Sequence, residues 1–142
     1  TEYSMINDVQ KAITKMETLI NKGVTFSLDD FGTGYSSLSY LKNLPFATVK
    51  IDRSFIRDIT NDKSDEALVT SIITISKNLG LSVVAEGIET EEQLEFLKGL
   101  SCDYAQGYLF GKPLTENDFY QLLESSRLAH KKHTLKVIKN ND

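Results

Sequence analysis

Four short apolar runs, each ending abruptly in charged or amide residues, constrain this chain more than any other feature. They are VTFSL (24–28) followed by Asp29 and Asp30, TVKI (48–51) followed by Asp52, SVVA (82–85) followed by Glu86, and a run over 104–108 that carries Gln106. Runs this short and this rich in β-branched residues read as strands of a parallel sheet covered by helices. Helix-like stretches separate them. Met5, Ile6, Val9, Ala12, Ile13, Met16, Leu19 and Ile20 recur at helical spacing, and Gly23 follows as a stop. A loop, FGTGYSSL, leads to a short helical stretch over 38–44 that Pro45 closes. The longest helix takes Ser64 as its N-cap and presents Leu68, Val69, Ile72, Ile73, Ser76 and Leu79 inward before Gly80. Thr90 with Gln93 forms a capping box ahead of Leu94 and Leu97, and Thr115 caps a last helix through Phe119, Leu122 and Leu123. The sum is one helix and then four strand–helix units, an α/β chain of parallel β/α units with right-handed crossovers.

Composition excludes several classes. A single cysteine among 142 residues rules out a disulfide framework and a four-cysteine zinc site, and suits a reducing cytoplasm. No run approaches the roughly 18 apolar residues of a membrane span, and no signal-peptide pattern opens the chain, so the expected location is cytoplasmic. Charge is unevenly placed. Residues 127–142 hold five basic residues against Asp142, a net +4, and the remainder carries a net −8. The tail over 126–142 is expected to be a solvated basic extension of a folded part spanning 1–125. The acidic body argues against DNA as a partner, and acids gathered in a cleft would attract divalent cations.

A parallel sheet brings the carboxyl ends of its strands to one rim, which is the active face in barrels and open sheets alike. Here that rim collects Asp29, Asp30, Lys50, Asp52, Glu86 and Gln106. Neighbouring carboxylates ionise together only at a cost unless a cation lies between them. Asp29 and Asp30 with Glu86 would offer hard oxygen ligands to Mg²⁺ or Mn²⁺. Two such ions about 3.5–4 Å apart can activate a water for in-line attack on a phosphodiester. Lys50 either supplies positive charge to that attack or pairs with Asp29 or Asp30. Gly32 and Gly34, flanking Thr33, permit a loop to fold close over the acidic pair. The loop matches neither phosphate-binding glycine pattern. Ser36 and Ser37 lack a nucleophile elbow, and the only histidines, His130 and His133, lie in the tail. Cys102 reads as a small apolar core residue.

DDFGTGYSSL (29–38), KIDRSFI (50–56), VVAEGIET (83–90) and QGYLFGKPL (106–114) resemble the EAL domain of bacterial cyclic-di-GMP phosphodiesterases. The resemblance covers roughly residues 1–125. It implies a modified (β/α)8 TIM-type barrel in which two Mg²⁺ or Mn²⁺ ions hydrolyse one phosphodiester of cyclic di-GMP, giving the linear dinucleotide pGpG. It further implies Asp29 and Asp30 as metal ligands, Asp29 as the bridging one. Lys50 would hold the attacking water, and Glu86 would be a ligand or the general base. Glu2 and Glu89 would steady the loop of Gly32, Thr33 and Gly34, Gln106 would line the site, and Asp52 is a second-tier candidate for binding substrate. The family's Glu-Ala-Leu strand end does not occur here. Glu66-Ala67-Leu68 spells it, but at the start of a helix, where we read it as coincidence. A barrel of this type needs about 250 residues. The expectation is therefore the C-terminal half of an EAL domain, with part of its ligand set. Such a half would have little activity alone and would associate, as a homodimer or with the missing N-terminal half. The alternatives are a non-catalytic cyclic-di-GMP receptor and an inert half-barrel.

Overall fold

The computed structural model describes residues 2–32 and 38–125, the side chains of 2–8, 39 and 40 excepted. These residues fall into two units, one through Phe110 and one from Gly111, and each is taken by itself. The basic tail over 126–142, including His130 and His133, lies outside the described residues, as do Thr33 and Gly34.

The first unit opens with helix α1 (Glu2–Ile20) and then alternates strands with helices. They are β1 (Ser27–Phe31), α2 (Leu38–Asn43), β2 (Thr48–Ile51), α3 (Arg53–Arg57), α4 (Lys63–Asn78), β3 (Ser82–Glu86), α5 (Glu91–Gly99) and β4 (Tyr104–Gln106). The four strands form one sheet in the order β1-β2-β3-β4, and every pairing is parallel. This is the parallel β/α arrangement expected from the strand–helix rhythm. Sequential order with parallel pairing means that each crossover advances the sheet by one strand, as in one arc of a barrel.

Strand interiors read as the alternation of apolar residues demands. Val49, Ile51, Val83 and Ala85 are fully buried, and Ile72, Ile73 and Val69 of α4 and Leu97 of α5 complete the core with Ile56, Ile59 and Ile88. Local chemistry sets the helix boundaries. The capping box is present at Thr90, whose side chain accepts from the Gln93 backbone while Gln93 accepts from the Thr90 backbone. Gln93 is buried, and its amide also donates to the Arg57 carbonyl at 3.1 Å, which ties α5 to the end of α3.

The structure departs from the sequence expectations at several points. The N-cap of α4 is Asp62, not Ser64. Its carboxylate accepts from the Ser64 backbone at 2.7 Å and from the Ser64 hydroxyl, so the serine is held inside the first turn. Leu68 and Leu79 are more than a third exposed, so the inner face of α4 narrows to Val69, Ile72, Ile73 and Ser76. Glu66-Ala67-Leu68 lies within α4, in agreement with the reading of that triplet as coincidence. Helix α3 was not foreseen because its five residues are too few to show a period. The strand expected over 24–28 instead spans Ser27–Phe31 and includes both aspartates. In the second unit a helix runs over 116–125, and Thr115 accepts from the Asp118 backbone at 3.3 Å in the capping role expected of it. Among the described residues no helix is long and apolar enough to cross a membrane.

Candidate metal and phosphodiester site

The chemistry gathers where the carboxyl ends of the strands meet. Parallel register carries Lys50 opposite Val84 and Glu86 opposite Gln106, so the polar ends align along one rim. At β1 the register slips between Leu28 and Phe31, and Asp30 takes φ 51°. A left-handed aspartate at a bulge turns one side chain out of the strand alternation. Two consecutive aspartates can then serve the same rim. Gly32 follows at φ 106°, and a Cβ there would lie 2.6 Å from the Phe55 ring, so only glycine permits the chain to pass over α3 at this point.

Asp29, Asp30 and Glu86 each bring a carboxylate oxygen into one group, all within 4.8 Å of one another. The Lys50 ammonium stands among them, 2.8 Å from Asp29 Oδ1 and 2.5 Å from Glu86 Oε1. Its pKa is held well above the ordinary lysine value, first by the Asp29 hydrogen bond and then by that of Glu86. The lysine therefore stays charged at any physiological pH. The ammonium bridges two of the three carboxylates and partly neutralises them. The donor set fits a hard divalent cation: three carboxylates, no sulfur and no imidazole.

A cleft of about 350 Å³ opens beside this group, lined by Asp30, Asp52, Glu86 and Glu89, by Gln106 and by Arg53, with Gly87, Gly107 and Tyr108 in its wall. The structure thus brings Asp29, Asp30, Lys50, Asp52, Glu86, Glu89 and Gln106 to one place. Glu2 lies in the first turn of α1, and its side chain is outside the described residues. The brace expected between Glu89 and the glycine loop would involve Thr33 and Gly34, also outside them.

Asp52 has a local structural duty. It is the N-cap of α3, its Oδ1 accepting from the Ser54 backbone at 2.8 Å and from the Ser54 hydroxyl at 2.5 Å. The Ser54 hydroxyl, then the Ser54 backbone, holds its pKa below the usual aspartate value. Cys102 is partly buried against the core with Sγ near the carbonyls of Tyr104 and Val83, and burial pushes its thiol pKa up, as suits an inert packing residue.

Sequence reasoning missed Arg53, Gly87, Gly107 and Tyr108. Gly87 has φ 76°, and a Cβ on it would collide with the Arg53 side chain. A Cβ on Gly107 would run into the Ile88 backbone, which bonds the 106–109 segment on both sides, Ile88 N to Gln106 O at 3.1 Å and Leu109 N to Ile88 O at 3.0 Å. The available signal was the glycine directly after each of Glu86 and Gln106.

A parallel β/α sheet that gathers three carboxylates at the carboxyl ends of its strands is an arrangement that could hold a divalent cation at that rim. The family model described as the EAL domain matches residues 1–113, and the chain belongs to the EAL domain family. It is 47% identical over 114 residues to the bifunctional diguanylate cyclase/cyclic di-GMP phosphodiesterase MucR of Pseudomonas aeruginosa, covering 80% of this chain and 17% of that protein. The solved EAL domain of Mycobacterium smegmatis DcpA is 42% identical with a TM-score of 0.77, covering 83% of this chain and 53% of the solved one. Klebsiella pneumoniae BlrP1, solved as a manganese and cyclic-di-GMP complex, is 36% identical with a TM-score of 0.65, covering 70% of this chain and 26% of the other. The chain thus spans about half the length of the solved EAL domain and under a fifth of the curated relative. The expectation of a TIM-type β/α architecture present in part agrees with these coverages and with the four-stranded sheet.

Proposed function

We propose that these residues form part of the catalytic rim of a divalent-metal-dependent phosphodiesterase that cleaves cyclic di-GMP to the linear dinucleotide pGpG. The observation that carries the reading is the convergence of Asp29, Asp30 and Glu86 within 4.8 Å around the Lys50 ammonium. Membership of the EAL family and the phosphodiesterase activity named for MucR support the substrate, and the manganese complex of BlrP1 supports the metal. Asp29, Asp30 and Glu86 would hold Mg²⁺ or Mn²⁺, which when bound polarises the phosphodiester and lowers the pKa of water at the site.

The chain's own residues supply the rest. Lys50, held protonated by two carboxylates, donates hydrogen bonds and places positive charge where the attacking water and the phosphoryl oxygens gather. Glu86, only 20% exposed at its side chain, accepts a proton or a cation at the same oxygen that now faces Lys50. Gln106, paired in register with Glu86, lines the cleft, where its amide would meet the substrate. Asp52 orients α3, the helix that opens with Arg53. In this reading 1–125 works as one arc of the EAL domain and 126–142 as a basic extension. The arc alone turns over little substrate, and it functions in the cytoplasm after pairing with the remaining arc or with a second copy.

The test is Asp29→Ala in the protein that carries these residues within a whole EAL domain. Turnover of cyclic di-GMP with Mn²⁺, followed by chromatography of pGpG, should fall by at least about 100-fold, while thermal unfolding without metal stays within a few degrees because Asp29 is 63% exposed. Undiminished turnover would refute the ligand assignment.

A further inference from the structure

We propose that Arg53 is a substrate-positioning residue that binds phosphate oxygens of the dinucleotide, an inference that rests on the phosphodiester reading above. Among the described residues lining the cleft, Arg53 is the cation, set among Asp30, Asp52, Glu86 and Glu89. The neighbouring partners are committed elsewhere. The Asp52 carboxylate is taken by the Ser54 backbone and hydroxyl, and Asp29 and Glu86 are taken by Lys50. Among the described residues the Arg53 guanidinium makes neither a hydrogen bond nor an ion pair. Asp52 attracts it through space, but with no hydrogen bond or ion pair among the described residues the guanidinium is available to a ligand.

The stem is also fixed. A Cβ on Gly87 would fall 3.2 Å from the Arg53 Cα and closer still to its Cβ, so the arginine backbone rests directly on the peptide that follows Glu86. The capped start of α3 holds the same residue from the other side. The root of the side chain is thus anchored one residue from a carboxylate of the cation group, and the residue itself is exposed and lines the cleft.

Charge decides which part of the substrate it meets. Each phosphodiester of a cyclic dinucleotide carries one negative charge, and it enters a cleft wall with four carboxylates. Bound cations offset the carboxylates at Asp29, Asp30 and Glu86, but Asp52 and Glu89 lie beyond that group and would repel phosphate oxygens. A forked guanidinium pairs with two phosphate oxygens at once, which a point charge cannot do. Arg53 answers that repulsion and fixes the orientation of the phosphodiester.

The test uses the protein with its whole EAL domain and the variants Arg53→Ala and Arg53→Lys. With cyclic di-GMP and Mn²⁺, Arg53→Ala should raise KM roughly 10- to 100-fold, the range for losing charge-assisted hydrogen bonds, with a smaller change in kcat. Arg53→Lys should recover part of that loss. Calorimetric binding of cyclic di-GMP with Ca²⁺ in place of Mn²⁺ should weaken by a similar factor in Arg53→Ala and become less sensitive to salt. An unchanged KM and affinity, or a fall confined to kcat with no rescue by lysine, would overturn the assignment. A wild-type protein that binds cyclic di-GMP without hydrolysing it would refute the phosphodiesterase reading alone, and the calorimetry would still decide Arg53. A wild-type protein that does not bind it would overturn both.

Discussion

Replacing Gly107 with alanine tests whether the close approach of two rim segments holds the site together. A Cβ at Gly107 would lie 2.7 Å from the Ile88 carbonyl carbon and nearer still to its oxygen and nitrogen. These atoms belong to the backbone and cannot rotate aside. Relieving the carbonyl-carbon contact alone requires a retreat of roughly 0.7 Å to reach ordinary van der Waals distance. That retreat lengthens the two hydrogen bonds that join the segments, Ile88 N to Gln106 O at 3.1 Å and Leu109 N to Ile88 O at 3.0 Å, past useful range. Overpacking costs about 1–3 kcal/mol and each of the two lost bonds about 0.5–1.5, so the variant should lose about 2–6 kcal/mol. For a chain of this size that is a fall in Tm of roughly 6–18 °C, read by circular dichroism without metal. Gly99→Ala is the control. Gly99 closes α5 with nothing within 4 Å of the added methyl, and the change should leave stability equal or higher by up to about 1 kcal/mol. A Gly107→Ala protein that melts with the wild type would refute the steric account and the linkage it implies between Glu86 and Gln106.

Gln93 is only 5% exposed, accepts from the Glu89 and Thr90 backbones and donates to the Arg57 carbonyl. Gln93→Leu should therefore cost about 2–4 kcal/mol, since three backbone groups lose their partner, and urea unfolding would measure it. Lys50 has a folded-state pKa above the ordinary 10.5, so its contribution to stability is complete below pH 10.5 and drains as pH rises further. In chelator-treated protein, Lys50→Met should lose about 1 kcal/mol at pH 7 and show a flatter alkaline limb. An identical alkaline profile in both proteins would contradict the pairing with Asp29 and Glu86.

Much of this was legible because it is local. Thr90 with Gln93 announced a capping box, TVKI and SVVA announced strands, and acids at strand ends announced a cation-binding rim. The misplacements share one cause. Asp62 and Ser64 are both good caps, and only the completed turn shows which accepts from which. Strand-forming propensity ends at Leu28 and leaves the aspartates outside the strand, yet pairing with β2 carries β1 through Phe31. Nothing in the neighbours of Arg53 on the chain indicates that Gly87, 34 positions later, supports it.

The amino-acid sequence by itself determined that this chain makes parallel β/α units of the EAL family, and that its acids fall at strand ends. Periodicity and capping act over four residues or fewer, and family motifs are written in consecutive letters. Only the tertiary structure decided that Lys50 bridges Asp29 and Glu86, that Asp30 turns at a bulge to join them, and that Arg53 stands unpaired in the same cleft among the described residues. Those facts depend on register between strands and on approach distances at glycines, and both are set by packing across segments 19 to 34 residues apart.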